Sequence, residues 1–145
     1  MLQVTLWHEP SYFQFYIRGS NSDPELDSSV AADLQRSALA VREGLVVVGV
    51  KSEYTKVPIT VEFDRDGFGP ADLSRWDSVL ECALVTRTGG IVFESCTGEP
   101  FGNLDVESGE YRLRVHYGGQ AEVRDDGATG DFYLVQVWPT KAESG

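Results

Sequence analysis

The stretch between residues 108 and 139 constrains the fold of this chain more than any other. Residues 111–117 alternate strictly in polarity, which predicts a strand with one apolar and one polar face. The apolar face carries Tyr111, Leu113, Val115 and Tyr117, and the polar face carries Arg112, Arg114 and His116. Residues 132–138 are apolar on both faces apart from Gln136, so we expect a strand covered on both sides and ended by Pro139. The two strands predict a hairpin at the centre of a β-sheet.

The upstream chain repeats this pattern of short strands. Strands are expected near residues 2–8, 12–18, 45–51, 57–63, 76–87, 91–96 and 101–106. Gly89-Gly90 favours a two-residue hairpin turn between two of them. Only residues 28–43 have helical spacing, with Gly44 suited to end the helix. The sequence therefore predicts a mainly β protein: one domain, residues 1–145, forming an antiparallel β-sandwich of eight to nine strands with one short helix.

The formal net charge of −11 is the strongest global property of the chain. An acidic surface repels nucleic acid and anionic membranes and favours basic partners or cations, although solubility alone also explains it. The first residues show neither a basic segment nor an apolar run typical of a signal peptide, and no apolar run is long enough to span a membrane. We expect a cytoplasmic protein without a cofactor, existing as a monomer or homodimer and binding neither nucleic acid nor membrane.

Motifs for catalysis are missing from the sequence. It contains no glycine-rich phosphate loop, no HExxH zinc helix and no nucleophile elbow. A two-residue turn at Gly89-Gly90 would place Cys82 and Cys96 on opposite faces of one sheet, which predicts no disulfide. We therefore expect a protein that is not an enzyme, while a hydrolase with a carboxylate pair stays open as an alternative.

Three groups of charged residues are candidate sites. Residues 64–69 have a weak likeness to a calcium loop but lack its later acidic ligands, and Asp125, Asp126 and Asp131 form a second acidic group. We expect solvated acidic turns and no metal at either position. The third group, Arg112, Arg114 and His116, either pairs with carboxylates of a neighbouring strand or lines a groove for an acidic ligand.

Several core-strand segments together resemble a known family. They are residues 44–49 (GLVVVG), 57–61 (VPITV), 76–84 (WDSVLECAL), 111–115 (YRLRV) and 133–139 (YLVQVWP). In this order they resemble the competence protein J family of bacterial β-sandwich proteins and a wider group of uncharacterised relatives. The resemblance spans roughly residues 44–139 and implies a small acidic inhibitor that binds and silences a partner nuclease.

The charge of the chain agrees with that implication. A nuclease presents a basic groove shaped for phosphates, and a surface rich in Asp and Glu can occupy such a groove. The candidate contacts are Asp64, Asp66 and Asp72 in one cluster and Asp125, Asp126 and Asp131 in the other. The main alternative is a module that binds a small ligand or carbohydrate, with Trp7, Trp76 or Trp138 as a stacking platform.

Overall fold

A computed structural model describes residues 1–20, 22–121 and 130–140. This part of the chain forms ten β-strands, one α-helix and one 3₁₀ helix. The strands are β1 (Leu2–His8), β2 (Gln14–Gly19), β3 (Leu39–Arg42), β4 (Leu45–Gly49), β5 (Val57–Phe63), β6 (Ser78–Thr86), β7 (Ile91–Ser95), β8 (Pro100–Leu104), β9 (Gly109–Gly118) and β10 (Phe132–Pro139). Helix α1 spans Ser28–Ser37, and the 3₁₀ helix spans Leu73–Arg75.

The strands form two five-stranded sheets that face each other. Sheet A has the order β1-β5-β10-β9-β6, and sheet B has the order β3-β4-β2-β7-β8. All neighbouring strands are antiparallel except β5 and β10, which run parallel with Tyr133 beside Ile59. The prediction of a mainly β sandwich with one short helix is confirmed. The described residues hold ten strands rather than eight or nine, because residues 39–42 form a strand of their own.

The main core lies between the two sheets, and the last hairpin supplies much of it. Tyr111, Leu113, Val115 and Tyr117 of β9 are buried, as their alternation predicts, together with Tyr133, Val135 and Val137 of β10. The opposite face of β10 is only half covered. A loop between β5 and β6 crosses this outer face and packs Trp76 against Phe132 and Phe68 against Trp138. The deep position of β10 therefore depends on a loop as well as on sheet B.

The prediction that the helix continues to residue 43 was wrong. Asp27 caps the N-terminus of α1 by accepting a hydrogen bond from the Ser29 N–H, and Ala38 ends the helix in the left-handed conformation with φ 61°. The carbonyl of Ala38 then accepts hydrogen bonds from the Gly49 N–H (2.9 Å) and the Tyr117 hydroxyl (2.6 Å). All four residues of β3, 39–42, pair with β4 as an antiparallel strand, and a helix that continued to residue 43 would lose this pairing.

The predicted hairpin around Gly89-Gly90 was also wrong. Strand β6 pairs with β9 in sheet A, whereas β7 pairs with β2 and β8 in sheet B, so the two glycines lie in a crossover between sheets. Both glycines have positive φ, and a Cβ on Gly89 would lie 2.8 Å from the Val106 carbonyl oxygen. Cys82 consequently lies in sheet A and Cys96 follows β7 in sheet B, and both thiols are free. The two cysteines therefore do not share the hairpin that their expected register assumed.

Neither helix in the described part of the chain has the length and hydrophobicity needed to cross a membrane.

Candidate protein-binding surfaces

Two members of the first acidic cluster, Asp64 and Asp66, lie at the end of the sandwich where β5 ends and β9 begins. Asp64 and Asp66 directly follow β5, and the Asp64 carboxylate accepts a hydrogen bond from the Asp66 N–H (2.9 Å). The loop between β8 and β9 brings further carboxylates to the same end. We call this surface the acidic end; its carboxylates are Asp64, Asp66, Asp105, Glu107 and Glu110. Arg65 is the cation of this surface and borders a small notch lined by Phe63, Val106 and Tyr111.

Asp72 occupies a different place, on the loop that crosses the outer face of sheet A. It caps the 3₁₀ helix, and its carboxylate accepts hydrogen bonds from both the N–H and the hydroxyl of Ser74. These hydrogen bonds lower the pKa of Asp72 because they favour the ionised form. The side chain is exposed, so its negative charge faces solvent.

Asp131 of the second acidic cluster does not lie on the surface, where we expected it. Asp131 is only 2% exposed, and its carboxylate accepts hydrogen bonds from the Ser52 hydroxyl and from the Tyr133 hydroxyl (2.6 Å). A carboxylate held in this way inside the protein contributes to the fold rather than to a partner contact. Asp125 and Asp126 lie outside the described residues.

The basic stripe on β9 is integrated into sheet A. Arg114 forms an ion pair with Glu81 on the neighbouring strand (3.1 Å), donates to the Gly69 carbonyl (2.7 Å) and lies over the Trp138 ring at 5.1 Å. The stripe therefore contains the cross-strand pair that the sequence suggested, and Arg114 also holds the crossing loop in place. Arg112 is half-buried opposite Ala83.

His116, the last member of the stripe, is buried. Its Nδ1 lies 3.0 Å from the Leu134 carbonyl oxygen, and its ring contacts Trp76 at 5.0 Å. Burial lowers the pKa of His116, because the low-dielectric surroundings disfavour the imidazolium form. Arg114 and His116 line a cavity of about 260 Å³ beneath the crossing loop.

The three tryptophans differ in their surroundings. Trp7 is 62% exposed, whereas Trp76 and Trp138 are half-buried and engaged in ring contacts. Trp76 borders a groove of about 410 Å³ on the outer face of sheet A, whose polar lining includes Thr5, Thr60 and Glu62. The carbohydrate alternative would use this groove or the exposed Trp7.

A second surface, at the opposite end of the sandwich, was missed by the sequence analysis. Tyr12, Phe13 and Tyr54 lie there with exposed fractions of 66%, 49% and 65%. All three adopt left-handed backbone conformations, with φ of 57°, 57° and 58°. We call this surface the aromatic end. The sequence predicts a strand over residues 12–18, whereas β2 begins at Gln14, and no local pattern marks a left-handed conformation at an aromatic residue.

Hydrogen bonds join the two loops of the aromatic end. The Tyr54 N–H donates to the Pro10 carbonyl (2.9 Å), and the Tyr12 N–H donates to the Glu53 carboxylate (3.2 Å). The Phe13 carbonyl accepts from the Val50 N–H (2.8 Å). The aromatic side chains therefore project from backbone that is held on both sides.

An apolar groove of about 560 Å³ adjoins the aromatic end. It runs between α1 and the ends of β2 and β4, and its lining includes Phe13, Leu26, Val30 and Leu34. The negative charge of Glu53 raises the pKa of the Tyr54 hydroxyl, because it disfavours the phenolate form.

Neither metal chemistry nor thiol chemistry has an assembled site in the described ranges. No group of three or more His, Cys, Asp or Glu side chains there is arranged to hold a metal ion. Burial raises the pKa of the Cys82 thiol to about 11, so this thiol is protonated at neutral pH.

Comparison with known proteins relates the fold to solved structures. No protein-family model and no curated protein matches the sequence. The crystal structure of ComJ from Bacillus subtilis, an inhibitor of the DNA-degrading activity of NucA, superposes with a TM-score of 0.69 at 18% identity, covering 97% of this chain and 96% of ComJ. The chain has the ComJ fold. The protein of crocagin biosynthetic gene J superposes with a TM-score of 0.56 at 14% identity, covering 97% of this chain and 100% of the other. The ComJ fold that the core-strand segments implied is confirmed over nearly the whole chain.

Proposed function

We propose that this protein binds and inhibits a nuclease whose substrate groove is basic. The observation that carries the proposal is the ComJ fold, which covers nearly the whole length of both chains, since ComJ inhibits the DNA-degrading activity of NucA. The net charge of −11 supports it independently, because an acidic protein is attracted to the groove in which a nuclease holds phosphates.

The acidic end offers the charges that such a groove would meet. Within the described ranges, none of its five carboxylates forms an ion pair with a Lys or Arg of this chain. In contrast, Glu81 and Glu94 are already paired with Arg114 and Arg18. A carboxylate that is already paired within its own chain must give up that ion pair to bind a cation of the partner, whereas an unpaired carboxylate need not. Asp64, Asp66 and Glu107 are therefore the proposed contacts, with Asp72 on the adjacent loop.

Inhibition by occupation needs no catalytic group on this chain. His116 is buried, and Cys82 is buried with a raised pKa, so neither is poised to act on a substrate. The proposed mechanism is competition, in which the bound protein excludes DNA from the groove of the nuclease.

The test is capture of nuclease activity from a lysate of the source organism on the immobilised protein. At 50 mM salt we expect DNA-degrading activity to be retained, and at 500 mM salt we expect it to elute, because salt screens exposed charges. Adding the free protein back to the eluate should inhibit the activity with saturation near one equivalent. A captured fraction without DNA-degrading activity, or activity that the protein does not inhibit, would refute the proposal.

A charge-matched pair of variants locates the contact. Asp66→Lys/Glu107→Lys changes the acidic end, and Glu25→Lys/Glu99→Lys makes the same change in net charge at exposed positions elsewhere. We expect the first variant to slow association on the order of tenfold and the second to have a much smaller effect. Equal effects would mean that net charge, and not the acidic end, drives binding.

A further inference from the structure

We propose that Tyr12, Glu53 and Tyr54 form a recognition box for a cationic side chain, an arginine of the bound protein. We call this group the cation box. The identity of the partner rests on the proposed function, but recognition of the cation is a property of this chain and can be measured without a nuclease.

The geometry of the box joins one carboxylate to the two loops that carry Tyr12 and Tyr54. The Glu53 carboxylate accepts a hydrogen bond from the Tyr12 N–H, which joins the β1–β2 loop to the β4–β5 loop. Tyr54 follows Glu53 in the chain, and its N–H is bound to the Pro10 carbonyl of the other loop. Tyr12 and Tyr54 are each about two-thirds exposed, and hydrogen bonds hold their backbone.

The backbone of the aromatic end adopts a conformation that is costly for residues with a side chain. The described residues contain four non-glycine residues with positive φ, and three of them are Tyr12, Phe13 and Tyr54. Glycine would adopt this conformation without the steric cost that a side chain incurs. The tyrosine side chains bury little against the protein, so their contribution to the core does not offset that cost. Strain at exposed aromatic residues points to a role in contacting another molecule.

The charge of the box specifies the chemistry of the occupant. Glu53 is half-buried, and no Lys or Arg of the described ranges lies within 4 Å of its carboxylate, although Lys51 and Lys56 belong to the same loop. A guanidinium group can hydrogen-bond to a carboxylate and stack on an aromatic face at the same time. The aromatic end lies opposite the acidic end, so this arginine would belong to a part of the partner outside the groove that the acidic end enters; arginine is enriched at protein interfaces.

The adjoining groove determines what should flank the arginine. Its lining includes Asp27 and Lys51, but its apolar side chains, among them Phe13 and Leu34, suit an aliphatic side chain next to the cation. The preferred segment is therefore an arginine followed by an apolar residue such as leucine.

The first test is an NMR titration of the full chain with the blocked peptide acetyl-Gly-Arg-Leu-amide. The control peptide carries citrulline, which has the shape of arginine without its charge. We expect saturable shifts of the backbone amides of Tyr12, Glu53 and Tyr54, at least fivefold weaker binding of the citrulline peptide, and at least fivefold weaker binding by Glu53→Gln. Glu99→Gln is the matched control and should bind as the unchanged protein does. Equal binding of the two peptides, or shifts spread over other surfaces, would overturn the proposal.

The second test uses the captured nuclease and separates the two proposals. We expect Tyr12→Ala/Tyr54→Ala to weaken inhibition at least tenfold while the NMR spectrum remains that of a folded protein. Full inhibition by this variant and by Glu53→Gln would overturn the cation box and leave the proposed function standing. Selective binding of the arginine peptide without capture of any nuclease would support the box and contradict the proposed function.

Discussion

The carboxylate of Asp131 accepts a hydrogen bond from the hydroxyl of Ser52, a residue 79 positions earlier in the chain. The same carboxylate accepts from the Tyr133 hydroxyl, whose oxygen in turn accepts from the Lys51 N–H (3.0 Å). The loop that carries Glu53 and Tyr54 is therefore fastened to the start of β10 from inside the protein. The internal acid positions the surface on which we place the cation box.

Removing that carboxylate should destabilise the fold strongly. We expect Asp131→Ala to lower the free energy of unfolding by about 3 kcal/mol, because it leaves the buried hydroxyls of Ser52 and Tyr133 without this acceptor. Tyr133→Phe should cost less, about 1–2 kcal/mol, since the carboxylate keeps its bonds to Ser52. Urea denaturation measures both values. An Asp131→Ala protein as stable as the original would refute the structural role assigned to this residue.

The protein should be more stable with glycine than with alanine at position 54. Tyr54 has φ 58°, a conformation that costs about 1–2 kcal/mol for a residue with a Cβ and nothing comparable for glycine. We therefore expect the unfolding free energy of Tyr54→Gly to be about 1 kcal/mol higher than that of Tyr54→Ala. At position 12 we also expect the glycine variant to be more stable than the alanine variant. Thermal and urea denaturation of the four variants provide the comparison. Val85, an exposed residue of β6, is the control position, where alanine should be the more stable.

Stability should decrease below about pH 6.5 because of two buried histidines. Burial lowers the pKa of His8 and of His116 in the folded state, while the unfolded chain titrates near 6.5. Their contribution is present in full above that pH and is lost as the pH falls toward the lowered folded values. His8→Phe and His116→Phe should each reduce the slope of unfolding free energy against pH between 6.5 and 5. An unchanged slope in the double variant would assign the effect to other groups.

Arg114 should not be replaceable by lysine. Its guanidinium contacts Glu81, the Gly69 carbonyl and the Trp138 ring together, which a single ammonium group cannot do. We expect Arg114→Lys to lower the unfolding free energy by about 1 kcal/mol and to speed proteolysis within the crossing loop. Glu81→Gln is the control: the Glu81 side chain is 43% exposed, so solvent screens the pair and its loss should cost less than about 0.5 kcal/mol. If both variants lowered the unfolding free energy equally, the ion pair with Glu81 would account for the whole contribution of Arg114.

Local patterns predicted the elements whose partners are close in sequence. The faces of β9 follow from a strict two-residue period, and β10 follows it as an antiparallel neighbour. The helix end and the crossover at Gly89-Gly90 were mistaken because both depend on distant partners. Ala38 stops the helix where Gly49 and Tyr117 bind its carbonyl, and β6 leaves its expected partner for β9.

The candidate site residues also divide into those whose exposure follows from the local sequence and those whose position depends on distant partners. Asp64, Asp66 and Asp72 are exposed or half-exposed, as acidic loop residues are expected to be, whereas Asp131 is buried through its bond to a residue far away in the chain. The sequence alone determined the mainly β class, the acidic charge and the alternating faces of the last hairpin, since these depend on composition and on neighbours in the chain. Only the tertiary structure decided the division of strands between sheets, the burial of Asp131 and the assembly of Tyr12, Glu53 and Tyr54, because each depends on pairing between segments that lie far apart in sequence.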